Sequence, residues 1–192
     1  MSPLWFVRHG STAWSERQRL QGWAPIGLSV RGVEEAHAIG RQAQRLGIRR
    51  ILTSPLQRAR ETARIVSQYV PACIHGEPAL CEVNYGVATG CTMEELRLID
   101  ERLARRWQDQ PWEVRFTTGH GALADLVAAV QPLVESEPTA AEPTLCITHG
   151  HVIRAALAVT RQQTAADFWR IDVPAGSIWH LQQPGDLTRT SL

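Results

Sequence analysis

The segment Leu4-Trp-Phe-Val-Arg-His-Gly10 places an arginine and a histidine directly after a short apolar run near the start of the chain. An apolar run of this length predicts a buried β-strand. A second such run, Thr144-Leu-Cys-Ile-Thr148, is followed at once by His149 and Gly150. In an open α/β sheet, ligands bind in the crevice at the carboxyl ends of the strands. We therefore predict that two strands deliver His9 and His149 to one crevice.

The segments around these two runs alternate between strand and helix patterns, which favours a parallel sheet with right-handed crossovers. Apolar spacing predicts helices over residues 33–46, 56–66, 92–107, 122–135 and 152–159, and strands over residues 50–53 and 177–181. We predict an α/β fold in which residues 1–192 form a single domain. Residues 136–143 are expected to form a surface connection, and the tail after Pro184 is expected to be poorly ordered.

The composition restricts the partners that this chain can have. Its 20 basic and 19 acidic side chains give a net charge of +1, which argues against binding to nucleic acid or to an anionic membrane surface. The apolar stretch at the amino terminus is too short for a signal peptide, and no run could span a bilayer. Several of the seven tryptophans fall in predicted loops, where they can line a pocket or a homodimer interface.

The four cysteines form no CxxC pair and have no zinc-ligand spacing. We expect them to be reduced thiols of a cytoplasmic protein, with Cys146 packed within its strand.

The residues beside His9 suit chemistry on a phosphoryl group. A neutral imidazole is a nucleophile toward phosphorus when its other ring nitrogen is held by a partner. Arg8 offers a planar, permanently charged guanidinium for the phosphoryl oxygens. Positive neighbours also lower the pKa of a histidine and keep it neutral. A lone histidine after a strand can equally well cap a loop, so this tripeptide needs support from the rest of the chain.

A second arginine, Arg58, falls in the first turn of the helix predicted after the strand at residues 50–53. Helix amino termini attract anions through their free N–H groups and the helix dipole. Arg58 can point back toward the strand ends, whereas Arg60 lies on another side of the same helix. We therefore assign Arg58 to phosphate binding and expect Arg60 to be solvated.

Two further residues complete a possible reaction. Glu82 lies in the loop Ala79-Leu-Cys-Glu-Val-Asn-Tyr-Gly86, and one carboxylate can protonate a leaving alkoxide and later deprotonate a water molecule. The imidazole of His149 can donate to phosphoryl oxygens in the transition state. Gly150 opens the helix after His149 and adds a backbone N–H group for phosphate.

Five segments, taken in order, cover nearly the whole chain: Phe6-Val-Arg-His-Gly-Ser-Thr-Ala-Trp14, Gly22-Trp-Ala-Pro-Ile-Gly-Leu-Ser-Val-Arg-Gly32, Thr53-Ser-Pro-Leu-Gln-Arg-Ala-Arg-Glu-Thr-Ala63, Leu80-Cys-Glu-Val-Asn-Tyr-Gly86 and Ile147-Thr-His-Gly-His-Val-Ile-Arg154. They resemble the motifs of the histidine phosphatase superfamily, in its phosphoglycerate-mutase-like branch. The resemblance implies a three-layer α/β/α sandwich with a mostly parallel central sheet. It implies that His9 is the phosphorylated nucleophile, that Arg8, Arg58 and His149 form the phosphate pocket, and that Glu82 is the proton donor. It implies no metal and no cofactor.

Within that superfamily the chain looks most like the alpha-ribazole phosphatases and their broad-specificity relatives. It also looks too short for the substrate-covering insertion of phosphoglycerate mutases, which favours a phosphatase. The expected ligand is a small phosphorylated metabolite, either nucleotide-like or a sugar phosphate. Two alternatives stay open: a mutase that returns the phosphoryl group to another hydroxyl, and a non-catalytic member that binds a phosphorylated ligand.

Several positions depart from the family pattern at the expected mouth of the pocket. A serine replaces the usual asparagine at position 15, residues 87–90 replace an acidic and aromatic segment, and His151 replaces a common glycine. The predicted substrate rim consists of Ser15, Gln21, Gly22, His120 and His151. His120 and His151 either recognise a polar or anionic group of the substrate or reflect drift at a solvent-exposed edge.

Overall fold

The computed structural model describes residues 3–135, 142–161, 165–183 and 186–190. Within these ranges the strands are β1 (Leu4–Arg8), β2 (Arg50–Thr53), β3 (Cys73–Gly76), β4 (Thr144–Thr148), β5 (Ile178–Gln183) and β6 (Asp186–Arg189). The α-helices are α1 (Ala13–Glu16), α2 (Val30–Arg45), α3 (Gln57–Val66), α4 (Met93–Ile99), α5 (Glu101–Asp109), α6 (Leu123–Glu135), α7 (Gly150–Arg161) and α8 (Ala165–Arg170).

The strands form one six-stranded sheet in the order β3-β2-β4-β1-β5-β6. The four strands from β3 to β1 run parallel to one another, and β5 and β6 add an antiparallel edge. A mostly parallel sheet with an antiparallel edge is common in α/β folds. The predicted α/β class is confirmed.

Two apolar cores cover the two faces of the sheet. Alternation along β1 sends Trp5 and Val7 into a core with α2 and α3, and it sends Phe6 into the other core with α6 and α7. Such alternation follows from the two-residue period of a strand. The sheet is therefore the middle layer of an α/β/α sandwich, as the resemblance implies. None of the helices among the described residues is long and apolar enough to cross a membrane.

The helical segment predicted over residues 92–107 is present as two helices rather than one, because the chain breaks at Asp100 between α4 and α5. Asp100 leaves the helical region with φ −149° and ψ 86°, and its side chain accepts a hydrogen bond from the backbone N–H of Leu103. Aspartate favours such caps over helix interiors because its carboxylate competes for backbone N–H groups. Thr92 and Glu95 form a capping box at the start of α4.

The carboxyl-terminal segment also differs from its prediction. Strand β6 pairs antiparallel with β5, whereas the tail after Pro184 was expected to be poorly ordered; this expectation is wrong for residues 186–189.

Two other segments were not tested or not predicted. Strand β3 was not predicted because it lacks an apolar run, and all four of its residues are exposed at the sheet edge. Most of the surface connection predicted over residues 136–143 lies outside the described residues.

Candidate active site

Three neighbouring strands deliver the predicted site residues to one edge of the sheet. Strands β2, β4 and β1 are adjacent, and the residues that follow their carboxyl ends are Ser54, His149 and His9. The rings of His9 and His149 lie 5.0 Å apart, centroid to centroid. Both imidazoles are buried. The crevice predicted from the two apolar runs therefore brings the two histidines together.

Hydrogen bonds fix the ring of His9. Its Nδ1 lies 2.7 Å from the carbonyl oxygen of Gly10, an acceptor that requires the proton on Nδ1. The guanidinium of Arg58 donates from Nε to His9 Nε2 over 3.0 Å, which requires a lone pair on Nε2. The hydroxyl of Thr62 accepts from the backbone N–H of Gly10 and holds this turn in place. His9 thus presents the unprotonated Nε2, the atom that a nucleophilic histidine needs.

The surroundings of His9 also favour its neutral form. Burial lowers the pKa of His9 well below 6.5, and the positive charges of Arg58 and Arg8 lower it further. Burial likewise lowers the pKa of His149 well below 6.5. Both imidazoles are therefore neutral at physiological pH.

These pKa shifts predict how the free energy of unfolding depends on pH below about 6.5. Below pH 6.5 the unfolded chain protonates both histidines while the folded chain does not, so the free energy of unfolding falls as the pH falls. Each histidine is expected to contribute a slope of about 1.4 kcal/mol per pH unit between about pH 6 and pH 5. Urea denaturation of wild type and His9→Ala across this range measures the slope. An equal slope in the two proteins would contradict a neutral, buried His9.

Two arginines surround His9 with buried donors. Burial lowers the pKa of Arg58 to about 10, so its guanidinium stays charged at neutral pH. Arg58 also donates from Nη2 to the carbonyl oxygen of Gly22, and Arg8 donates from Nη1 to the carbonyl oxygen of Val173 over 2.5 Å. Arg8 Nε and Arg58 Nη1 are buried, and neither has a hydrogen-bond partner in the part of the chain that the structure describes. Buried donors of this kind are costly unless a ligand accepts from them.

His149 adds a third donor. Its Nε2 lies 2.8 Å from Ser54 Oγ, and Ser54 Oγ already accepts from the backbone N–H of Leu56. The Ser54 hydroxyl can therefore donate its proton to Nε2, which leaves the His149 proton on Nδ1. That Nδ1 is buried, and no group within the described ranges forms a hydrogen bond with it. Gly150 begins α7 beside it, and a Cβ added at this position would lie 3.5 Å from Arg154 Nη1 and 3.8 Å from Arg8 Nε.

A cavity of about 100 Å³ lies against His9, Arg8 and Arg58, and His149 is not among its described lining residues. Its lining consists of Arg8, His9, Arg19, Leu20, Gln21, Arg58, Glu82, Tyr85, Gly150, His151 and Arg154. The sequence analysis did not identify four of these residues as site residues: Arg19, Leu20, Tyr85 and Arg154. Arg154 nevertheless ends one of the quoted motifs. Its position four residues after Gly150 on a helix was the available signal, because residues at that spacing share a face. Among the residues that the structure describes, no three His, Cys, Asp or Glu side chains are arranged to hold a metal ion.

Glu82 lies in the wall of this cavity with both carboxylate oxygens engaged. Its Oε1 accepts from the backbone N–H of Val83 over 2.9 Å, and its Oε2 lies 3.3 Å from Nδ1 of His151. Burial alone would raise the pKa of Glu82, but the imidazole of His151 and the Val83 N–H outweigh it and hold the pKa well below its ordinary value. Glu82 is therefore ionised in the free protein.

Gln21 and His151 line the cavity, whereas Gly22 acts through its backbone. Gly22 has φ +49°, and a Cβ there would lie 3.1 Å from Thr89 Oγ1, so both its conformation and its space favour glycine. Its carbonyl oxygen holds Arg58 as described above. The Gln21 side chain accepts from the hydroxyl of Thr12.

Ser15 and His120 do not line the phosphate-sized cavity. The Ser15 hydroxyl accepts from the backbone N–H of Thr12 and donates to its carbonyl oxygen, which makes it part of the cap of α1. His120 packs near Trp23, with the two ring centroids 5.9 Å apart. The indole N–H of Trp23 donates to the carbonyl oxygen of Glu82, so His120 borders the segment that carries Glu82.

A larger cavity, of about 540 Å³, shares Leu20, His151 and Arg154 with the first. Its other walls are Met93, Trp107, Gln108 and Trp169. The guanidinium of Arg154 lies against the rings of Phe168 and Trp169 and donates from Nε to the carbonyl oxygen of Ile171. The phosphate-sized cavity thus borders an aromatic chamber with a cation at the boundary.

The sequence model of a family described as the histidine phosphatase superfamily (branch 1) matches residues 4–190. A curated relative from Escherichia coli O1:K1, "Probable phosphoglycerate mutase GpmB", is 30% identical over 152 residues, which cover 78% of this chain and 70% of that protein.

Solved structures of similar fold cover the whole chain. A candidate alpha-ribazole-5'-P phosphatase from Escherichia coli K-12 has a TM-score of 0.83 at 24% identity, over 100% of this chain and 95% of that chain. A phosphoserine phosphatase from Entamoeba histolytica, in complex with 3-phosphoglyceric acid, has a TM-score of 0.83 at 22% identity, over 100% of this chain and 96% of that chain. At these identities the similarity establishes the fold.

Proposed function

The chain belongs to branch 1 of the histidine phosphatase superfamily, and from that membership we propose that it is a metal-independent phosphomonoesterase. It hydrolyses a small phosphorylated metabolite through a phosphohistidine intermediate on His9. The observation that carries this proposal is a set of three buried donors, Arg8 Nε, Arg58 Nη1 and His149 Nδ1, which have no hydrogen-bond partner among the described residues. Arg58 and His149 lie beside the neutral imidazole of His9, which keeps a lone pair on Nε2, and Arg8 lines the same cavity as His9. A phosphoryl group would satisfy the donors and present its phosphorus to that lone pair.

In the first step, His9 Nε2 attacks phosphorus in line with the leaving oxygen. The N–P bond forms as the P–O bond to the alcohol breaks, and the Glu82 carboxylate, after taking up a proton, passes it to the alcohol oxygen. Arg8, Arg58 and His149 stabilise the charge on the equatorial oxygens. Arg58 Nε, which donates to His9 Nε2 in the free protein, shifts to a phosphoryl oxygen and frees the lone pair for bonding.

In the second step, water attacks the phosphohistidine. Glu82 accepts a proton from the water, the new P–O bond forms, and the N–P bond breaks to restore neutral His9 and release phosphate. The proton of His9 stays on Nδ1 throughout, where it is hydrogen-bonded to the carbonyl oxygen of Gly10. The reaction therefore begins and ends with the same hydrogen bonds around His9.

The aromatic chamber supports a ligand whose alcohol part carries a flat ring. The rings of Trp107 and Trp169 in its wall offer faces on which such a ring can stack, and stacking is worth about 1–3 kcal/mol per base in nucleic-acid complexes. A nucleotide-like phosphomonoester fits this chamber better than a sugar phosphate, whose hydroxyl groups would need polar partners. We also propose a cytoplasmic location, which the four free cysteines support.

The proposal predicts phosphate release in the presence of a metal chelator. We expect a panel of phosphomonoesters to show turnover without added metal, and we expect nucleoside monophosphates with a flat base to be hydrolysed faster than hexose phosphates. Colorimetric phosphate detection measures both. The panel includes 3-phosphoglycerate, because the GpmB relative is named as a mutase. Interconversion of phosphoglycerates without net phosphate release, after priming with a bisphosphorylated compound, would identify a mutase instead.

A further inference from the structure

The side chain of His151 joins two other residues of the site. Its Nδ1 lies 3.3 Å from Oε2 of Glu82 and 3.1 Å from the hydroxyl of Tyr85. The backbone N–H of His151 also points to Glu82 Oε2, over 3.4 Å. One ring nitrogen therefore lies between a carboxylate and a hydroxyl, both of which can exchange a proton or a hydrogen bond with it.

Aromatic side chains hold this ring in place. The His151 imidazole stacks on Phe168 at an interplanar angle of 19°, and it meets Tyr85, Trp107 and Trp169 at steeper angles. These residues come from the Glu82 loop, α5 and α8, so the ring is packed from three directions. The Nδ1 atom is thus kept within reach of Glu82 rather than free to turn into solvent.

The contacts of Glu82 favour a carboxylate without a proton, although the first step of the reaction needs a proton donor. Hydrogen bonds from Val83 and His151 to the carboxylate oxygens favour the ionised form. An ionised carboxylate can accept a proton from water in the second step, but it has none to give to the leaving alcohol in the first. The proton for the first step must come from a neighbour of Glu82.

We propose that His151 holds the proton that Glu82 delivers to the leaving alcohol, so that the two side chains act as one acid–base pair. This inference rests on the proposed phosphatase function and adds a positioning residue that acts through Glu82. Before the reaction the proton resides on His151 Nδ1 and bonds to Glu82 Oε2. Glycine, which is common at position 151 in the family that the sequence resembles, has no side chain that could hold this proton.

The proton balance closes over the two steps. In the first step the proton passes from His151 Nδ1 through the Glu82 carboxylate to the alcohol oxygen, as the P–O bond breaks and the N–P bond forms. Neutral His151 then accepts a hydrogen bond at Nδ1 from the Tyr85 hydroxyl. In the second step Glu82 takes a proton from the attacking water and returns it to His151.

The other charged and titratable groups around His151 are compatible with this exchange. Burial and the charge of Glu82 raise the pKa of Tyr85 well above 10, so its hydroxyl keeps its own proton and can donate to Nδ1. The guanidinium groups of Arg8 and Arg154 lie in the same cavity wall. The neighbouring imidazole of His149 is neutral, as described above.

The test compares two esters of similar shape whose leaving groups differ in basicity. Benzyl phosphate releases a strongly basic alkoxide that needs a proton, whereas p-nitrophenyl phosphate releases a stable phenolate that does not. The variant is His151→Asn, because its amide nitrogen can replace Nδ1 as a hydrogen-bond donor to Glu82 but cannot give up a proton. The value of kcat/KM reports the first, phosphoryl-transfer step, and it is measured for both esters with both proteins.

We expect His151→Asn to lower kcat/KM for benzyl phosphate by roughly 10²-fold, the lower range for loss of a general acid. For p-nitrophenyl phosphate we expect a change of less than about threefold. An equal loss with both esters, or no loss with either, would overturn the role of His151. His151→Gln serves in the same way if the asparagine variant does not fold. Absence of His9-dependent turnover in the wild type would instead overturn the proposed function.

Discussion

Replacement of His9 by alanine is expected to lower kcat for phosphate release by roughly 10⁴-fold or more, the scale of loss seen when a covalent nucleophile is removed. The alanine side chain cannot form a bond to phosphorus, and a water molecule in its place is a much weaker nucleophile than the imidazole. The reaction would then depend only on stabilisation of charge by Arg8, Arg58 and His149. Phosphate release from the best ester of the panel measures the loss.

A matched control is His75→Ala, since His75 lies exposed on the edge strand β3, away from the cavity. Its turnover should stay within about twofold of wild type. The fold of the His9 variant is checked by its thermal unfolding transition. Wild-type turnover in a folded His9→Ala protein would show that another group attacks phosphorus.

Replacement of Arg58 by alanine is expected to lower kcat/KM by roughly 10²–10³-fold, the typical cost of one positioned donor to a developing oxyanion. Arg58 makes no salt bridge among the residues that the structure describes, so its removal leaves no buried carboxylate without a partner. It also removes repulsion from the nearby Arg8, which offsets part of the lost hydrogen bonding to Gly22. The variant should therefore fold and still lose activity.

Arg60→Ala is the control for this prediction, because Arg60 lies on the same helix but is exposed to solvent. We expect no more than about a twofold change in kcat/KM for a surface substitution of this kind. Arg58→Lys should recover only part of the activity, since a lysine keeps the charge but lacks the planar pair of donors. Similar losses in the Arg58 and Arg60 variants would show that general charge, rather than the geometry of Arg58, supports the reaction.

The sequence predicts much of this site because its residues follow strand ends. Once Leu4–Arg8 and Thr144–Thr148 are identified as strands, His9 and His149 must meet at one edge if the strands are parallel and adjacent. The choice of Arg58 over Arg60 follows from helical geometry in the same way. These predictions depend on local periodicity, which is visible in a single sequence.

Other features depend on contacts between segments far apart in the chain. The pairing of Glu82 with His151 joins a loop and a helix 69 residues apart, and no spacing rule connects them. The aromatic chamber likewise depends on the contact between α5 and α8, where the rings of Trp107 and Trp169 lie 5.4 Å apart. Apolar periodicity also missed the break at Asp100. Ser15 was predicted at the rim from its position in a motif, but its hydroxyl is used by the cap of α1.

The central claim is that His9 carries the phosphoryl group, and a rapid-quench experiment tests it most directly. The enzyme is mixed with p-nitrophenyl phosphate, stopped in alkali within milliseconds, and digested for mass spectrometry under alkaline conditions that preserve an N–P bond. We predict a single phosphoryl group on His9, which disappears on exposure to acid and is absent from His9→Ala. Rapid turnover with no phosphorylated chain, or with the phosphoryl group on another residue, would contradict this account.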